Sequence, residues 1–205
     1  MHLIVKNDEK ELVAIANKWC EEKFLHYQAK SIYLPAGNTP TPLYRYWEKT
    51  KPAYLNNILL QQMDEVMEGP KQNCFAIFFK KELPNYEVRA ANAEPILQAD
   101  LGIFGLGKNG HVAFHEPGMP ADFTHGALKL SKQSSKTLGI VENTNAISYG
   151  LGSFLKTKAA LLIVSGKSKK TILKKLLKKD PSLPASLLLA HKDLTILADT
   201  SAFGT

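Results

Sequence analysis

The richest chemistry in this chain lies between Leu101 and Gly118, in the run L-G-I-F-G-L-G-K-N-G-H-V-A-F-H-E-P-G. His111 offers a titratable base, and Glu116 follows as a carboxylate five positions on. Imidazole is the side chain best suited to move a proton near neutral pH. Gly105, Gly107 and Gly110 let the backbone turn tightly and approach a ligand with no Cβ in the way. A plain Gly-rich loop with a surface histidine is the competing reading. Asp64 and Glu65 close the apolar run Ile58 to Met63. Two adjacent carboxylates at a strand end cannot both enter one pocket, so one is expected to face the site and the other to make a structural bond or face solvent. An acidic turn is the simpler alternative. After Ser31 to Leu34 comes P-A-G-N-T-P-T-P-L-Y, in which Gly37, Asn38 and Thr39 supply exposed backbone N–H groups and a hydroxyl. Such a loop at a helix N-terminus can cradle phosphate, or it is a turn with a proline stop.

These residues need elements to hold them. Short apolar runs at Leu3–Val5, Ser31–Leu34, Ile58–Met63, Leu101–Phe104, Ala159–Val164 and Leu194–Ala198 read as buried strands. Helical patterns alternate with them. Asn7 or Asp8 can cap a helix whose Leu12, Ile15, Ala16, Trp19 and Cys20 share a face. Pro42 suits the first turn of the next helix. Lys167 to Lys179 puts Ile172, Leu173, Leu176 and Leu177 on one face and lysines on the other, an amphipathic core helix, with a membrane-surface helix as the minority reading. Further short helices are expected at Glu94–Gln98, from Tyr149-Gly150 onward, and at Leu183–Leu189, with weaker strands at Tyr86–Arg89 and Leu128–Leu130. The stretch after Gly118 reads as a loop able to cover the site. The alternation implies an α/β fold, one doubly wound, mostly parallel sheet with helices on both faces, in a single domain over 1–205. Gly37, Asp64, Gly107 and Gly166 should then sit at the C-terminal ends of neighbouring strands, where ligands bind in such folds.

Composition narrows the partners. The net charge is +7, carried by 26 basic residues of which only Arg45 and Arg89 are arginines. Arginine scarcity argues against nucleic acid, because bidentate contacts favour guanidinium. A small anionic substrate is the more economical partner. Cys20 and Cys74 give neither a disulfide framework nor a metal-ligand spacing. No apolar run approaches the ~18 residues of a transmembrane helix, and the N-terminal residues lack a signal-peptide core. A cytoplasmic protein without membrane association is expected, with formation of a homo-oligomer left open.

Taken together, L-P-A-G-N-T-P-T-P-L-Y, M-D-E, G-L-G-K-N-G-H-V-A-F-H-E-P-G, Y-G-L-G, the lysine after V-S-G and P-A-S-L-L…H resemble the glucosamine-6-phosphate deaminase family. The related 6-phosphogluconolactonases share the phosphate loop and G-x-x-G-H, but F-H-E-P-G is of deaminase type. The resemblance implies a Rossmann-like fold and a hexosamine 6-phosphate substrate. It implies ring opening, aldose-to-ketose isomerisation and loss of ammonia, with no metal or organic cofactor. It makes Asp64 the base moving a proton from carbon 2 to carbon 1, and His111 the group assisting ring opening, with Glu116 bonded to it. Gly37, Asn38, Thr39, Gly107 and Lys169 would hold the substrate, the lysine and the Gly37–Thr39 loop converging on its phosphate.

Four positions depart from the family pattern. Asn109 stands where the family has Asp, and could accept a hydrogen bond from the imidazole without offering charge. No arginine follows Arg89, leaving Lys132 or Lys136 as substitutes. His115 replaces an Asn, and the segment from Met67 to Leu101 is short. Asp64, His111 and Glu116 favour a working deaminase-isomerase. Asn109 and the missing arginine favour a non-catalytic sugar-phosphate binder, and a lactone hydrolase needs only His111 and an anion site.

Overall fold

The computed structural model describes residues 1–204. Asp8 starts the first helix: its carboxylate accepts from the Glu11 N–H at 2.8 Å, while Glu11 reaches back to the Asn7 N–H. In chain order the strands are β1 (His2–Lys6), β2 (Ser31–Leu34), β3 (Leu59–Gln62), β4 (Asp64–Val66), β5 (Val88–Arg89), β6 (Leu101–Gly105), β7 (His125–Lys129), β8 (Asn145–Tyr149), β9 (Ala159–Val164) and β10 (Leu194–Asp199). The helices are α1 (Glu9–Tyr27), α2 (Thr41–Thr50), α3 (Cys74–Glu82), α4 (Lys132–Leu138), α5 (Leu151–Phe154), α6 (Lys170–Leu177) and α7 (Thr200–Phe203).

Seven strands form one sheet in the order β1-β10-β9-β6-β2-β3-β5, every pair parallel. Strand alternation divides the core into two layers. Ala159, Leu161 and Ile163 of β9 pack with α1, α2 and α3, while Ala160, Leu162 and Val164 pack with α5 and α6. Strands buried on both faces read as continuous apolar runs, which is why the sequence shows them plainly. Gly166, Gly107, Gly37 and Asp64 follow β9, β6, β2 and β3, four adjacent strands, so the expected clustering along one sheet edge holds.

A second sheet was not legible in the sequence. After Met63 the chain leaves the main sheet, and β4 joins an antiparallel sheet ordered β4-β8-β7. Its own small core gathers Val66, Phe114, Leu130 and Ala146 against Phe75 and Leu138. Asp64 therefore begins a strand rather than ending one. The helix expected at Glu94–Gln98 is absent: Pro95 supplies no N–H and disfavours helical backbone at Glu94, and the Arg89 guanidinium donates to the carbonyls of Ala93 and Pro95. Tyr149 closes β8 rather than opening a helix, and Pro184–Ala190 is a 3-10 helix. The loop expected after Gly118 contains β7, which overlaps the weaker strand expected at Leu128–Leu130, and α4, which was not expected.

Candidate active site

The glycine loop after β6 is folded by its own backbone. Gly107 N–H donates to the His111 carbonyl at 2.9 Å and Gly110 N–H to the Gly107 carbonyl at 3.1 Å. Gly107 also lets the imidazole close in, since a Cβ there would lie 2.3 Å from His111 Cδ2. Ala113 turns the chain in left-handed backbone, and Phe114 N–H donates to Ser148 Oγ at 3.2 Å, pinning the loop to β8. This turn brings Glu116 back beside His111.

Glu116 is the hub. Only 6% exposed, it receives Asn109 Nδ2 on Oε2 at 2.8 Å and the hydroxyls of Ser131 and Ser134 on Oε1. His111 Nδ1 lies 3.8 Å from Oε2, buried and without a hydrogen-bond partner. Asn109 does not receive the imidazole proton, contrary to the sequence expectation. Its Oδ1 accepts from the His111 backbone N–H at 3.2 Å and its amide donates to Glu116. An amide between a carboxylate and a backbone N–H can satisfy both only in that orientation. Burial holds the His111 pKa below its ordinary value, Glu116 opposes that and Lys169 adds to it.

Asp64 and Glu65 divide their roles as their neighbours dictate. Glu65 accepts from the N–H groups of Val66, Phe75 and Ala76 and from Gln62 Nε2, at 2.7–3.0 Å. The Phe75 and Ala76 N–H groups lie in the first turn of α3, whose Asn73 makes no side-chain cap, so Glu65 caps that helix from a distance. Asp64 is left 6% exposed with no protein hydrogen bond on its carboxylate among the described residues. Burial, then the Glu65 charge, push its pKa up to about 8. A carboxyl poised there can take a proton from an activated carbon near neutral pH.

The phosphate loop is only partly as expected. Gly37 adopts φ +122°, and Thr41 Oγ1 donates to its carbonyl at 2.8 Å. Asn38 and Thr39 line a cavity of about 250 Å³ opposite Ser165 and Gly166, with Glu9 and Asp199 also in its wall. The Lys169 amine does not line that cavity. It donates to the Leu106 carbonyl at 2.5 Å, beside the glycine loop, because that carbonyl offers a partner to a half-buried ammonium. Its pKa is lowered by burial and by Lys108. Both arginines are engaged elsewhere, Arg45 with Glu82 and Arg89 with the two carbonyls above. Lys132 and Lys136 are exposed on α4.

His115 is structural: its Nδ1 accepts from the Leu151 N–H at 3.2 Å, at the start of α5. Ser131 and Ser134 are the site neighbours that the sequence reading passed over. The available signal was Ser131, a favoured N-cap type, ahead of a short run without Gly or Pro. Among the described residues no group of three or more His, Cys, Asp or Glu side chains is placed to hold a metal ion, and no helix is long and apolar enough to cross a membrane.

Comparison with known proteins bears on the family and the fold. The family model described as glucosamine-6-phosphate isomerases/6-phosphogluconolactonase matches residues 52–197. Glucosamine-6-phosphate deaminases of Bacillus cereus (strain G9842) and Bacillus thuringiensis (strain Al Hakam) are each 28% identical over 231 residues, covering 98% of this chain and 88% of the relative. Among solved structures, a monomeric glucosamine-6-phosphate deaminase superposes with a TM-score of 0.82 at 24% identity, over 100% of this chain and 99% of that one. A 6-phosphogluconolactonase from Trypanosoma brucei gives 0.75 at 14% identity, over 99% and 97%. At these identities the structural likenesses carry the fold, and the family model carries the membership. The chain belongs to the glucosamine-6-phosphate isomerase/6-phosphogluconolactonase family.

Proposed function

We propose that the protein converts a hexosamine 6-phosphate to the ketose 6-phosphate and ammonia. The observation that carries this reading is the placement of a buried Asp64, its pKa pushed up to about 8, after β3 and of the Asn109–Glu116–His111 cluster after β6, on the same edge of one sheet with β2 between them. His111 protonates the ring oxygen as the C1 hydroxyl gives up its proton and the sugar opens to the aldehyde. Asp64 then takes the proton from carbon 2 and returns it to carbon 1, while a proton of the substrate ammonium passes to the carbonyl oxygen, leaving a C1 alcohol and a C2 iminium that water hydrolyses with release of ammonia. The backbone at Gly37–Thr39 and the ammonium of Lys169 hold the phosphate, which requires Lys169 to exchange the Leu106 carbonyl for substrate oxygen.

The test is turnover on a panel of glucosamine, galactosamine and plain hexose 6-phosphates and 6-phosphogluconolactone, following ammonium and ketose. Release of both from a hexosamine 6-phosphate, lost in Asp64→Asn and His111→Ala, is the expected outcome. Asn109 gives the non-catalytic binder its support, since the carboxylate of the family pattern is absent there. Tight sugar-phosphate binding without turnover, in the natural protein and in Asn109→Asp, would establish that second reading. Turnover of the lactone alone would make the protein a hydrolase.

A further inference from the structure

We propose that Ser131 and Ser134, at the start of α4, are positioning residues that hold the Glu116 carboxylate with Oε2 turned toward His111, so that docking of α4 sets the acid–base geometry. This rests on the proton-transfer role proposed for His111.

The hydrogen bonds are arranged by oxygen. Both serine hydroxyls donate to Oε1, Ser131 at 2.9 Å. Oε2 is left to the Asn109 amide at 2.8 Å and to His111 at 3.8 Å. The direction of the Ser131 bond is fixed, because its oxygen already accepts from the Ser134 backbone N–H at 3.2 Å and its single proton must go to Glu116. Ser131 thus caps α4 and grips the carboxylate with the same hydroxyl. Ser134 is buried, and its side chain makes no cap, so its bond to Glu116 serves the carboxylate alone. His111 Nδ1 has no hydrogen-bond partner among the described residues, and Glu116 Oε2 stands 3.8 Å from it. The charges that face the imidazole are therefore Glu116, from its own loop, and Lys169, from the segment after β9. Any swing of Glu116 changes the attractive one.

The experiment is NMR titration of the His111 imidazole in the full chain, which needs no turnover. Glu116→Gln is expected to lower the His111 pKa by removing that charge. Ser134→Ala is expected to move it the same way by part of that amount, about 0.3 unit or more. Ser131→Thr, which keeps both hydroxyl and cap, should titrate with the natural protein. In turnover, Ser134→Ala should reduce kcat about tenfold with KM changed by less than about twofold, the loss expected for a hydrogen bond to a charged group. A serine with a merely structural role would lower the melting temperature and leave the His111 titration in place. Should Ser134→Ala fail to fold, Ser134→Cys keeps the size with a weaker donor and is read in the same way. An unshifted His111 titration in either folded variant overturns the proposal. If the natural protein shows no turnover while the titration still shifts, the deaminase reading fails and the positioning stands.

Discussion

At the scale of single residues, the site turns on what stands beside His111. The amide of Asn109 occupies Glu116 Oε2 and keeps the imidazole at arm's length. Asn109→Asp would replace that donor by a second carboxylate, putting two negative charges beside one buried ring. A nearby opposite charge favours the imidazolium. The His111 pKa in this variant is therefore expected to rise toward neutrality, raising the fraction of ring able to act as an acid at pH 7. Turnover of a hexosamine 6-phosphate should increase, and the alkaline limb of its pH profile should move upward. An NMR titration and a pH–rate profile check both, and a lowered or unchanged His111 pKa would count against this account. Gly107→Ala probes the same ring sterically. Its Cβ would enter the imidazole, so kcat should fall at least about 100-fold, the cost of a misplaced catalytic group. Circular dichroism should meanwhile show the fold retained.

At the scale of elements, legibility followed burial. Strands β2, β6, β9 and β10 announce themselves because both faces are buried, and helix α1 because its cap and apolar stripe agree. Strand β8, N-A-I-S-Y, and helix α4, K-Q-S-S-K-T-L, do not, because Ala146 and Leu138 pack in the small second core and Tyr149 alone of β8 joins the main one. Helix α4 is defined by its ends, the Ser131 cap and Gly139 in left-handed backbone, which a search for apolar periodicity passes over. Within the site, the residue types at 64, 111 and 116 were readable, and their wiring was not. Which proton Asn109 gives and which it takes depends on where Glu116 returns after the Ala113 turn. The split between Asp64 and Glu65 shows the same limit, for only the position of α3 decides which carboxylate is spent. Glu65→Ala is expected to leave three backbone N–H groups short of an acceptor and to cost about 3 kcal/mol or more. Urea denaturation measures this, and a loss below about 1 kcal/mol would mean that water replaces the cap.

At the scale of the whole molecule, Asp64 would link the proposed proton transfer to stability. It sits where the chain passes from the seven-stranded sheet into the three-stranded one, and the packing of both keeps water from its carboxylate. The fold therefore bears the cost of ionising it. In the unfolded chain the group has the ordinary aspartate value of 3.8, and in the folded protein burial pushes it up to about 8. Between those values the folded state holds a proton that the unfolded state has released, so its contribution is fully present below the lower pKa. It declines as pH rises and is gone above the upper one. The same ionisation that the proposed base role requires thus weakens the protein that holds it. Asp64→Asn removes the titrating group while keeping its shape. The variant should gain little over the natural protein at pH 4 and progressively more toward pH 9, where the difference should reach a few kcal/mol, on the order set by the pKa displacement. Because other groups titrate in both proteins alike, the difference between their melting curves isolates this one. A difference flat across that range would show that Asp64 is solvated in the folded state, and the high-pKa base would go with it.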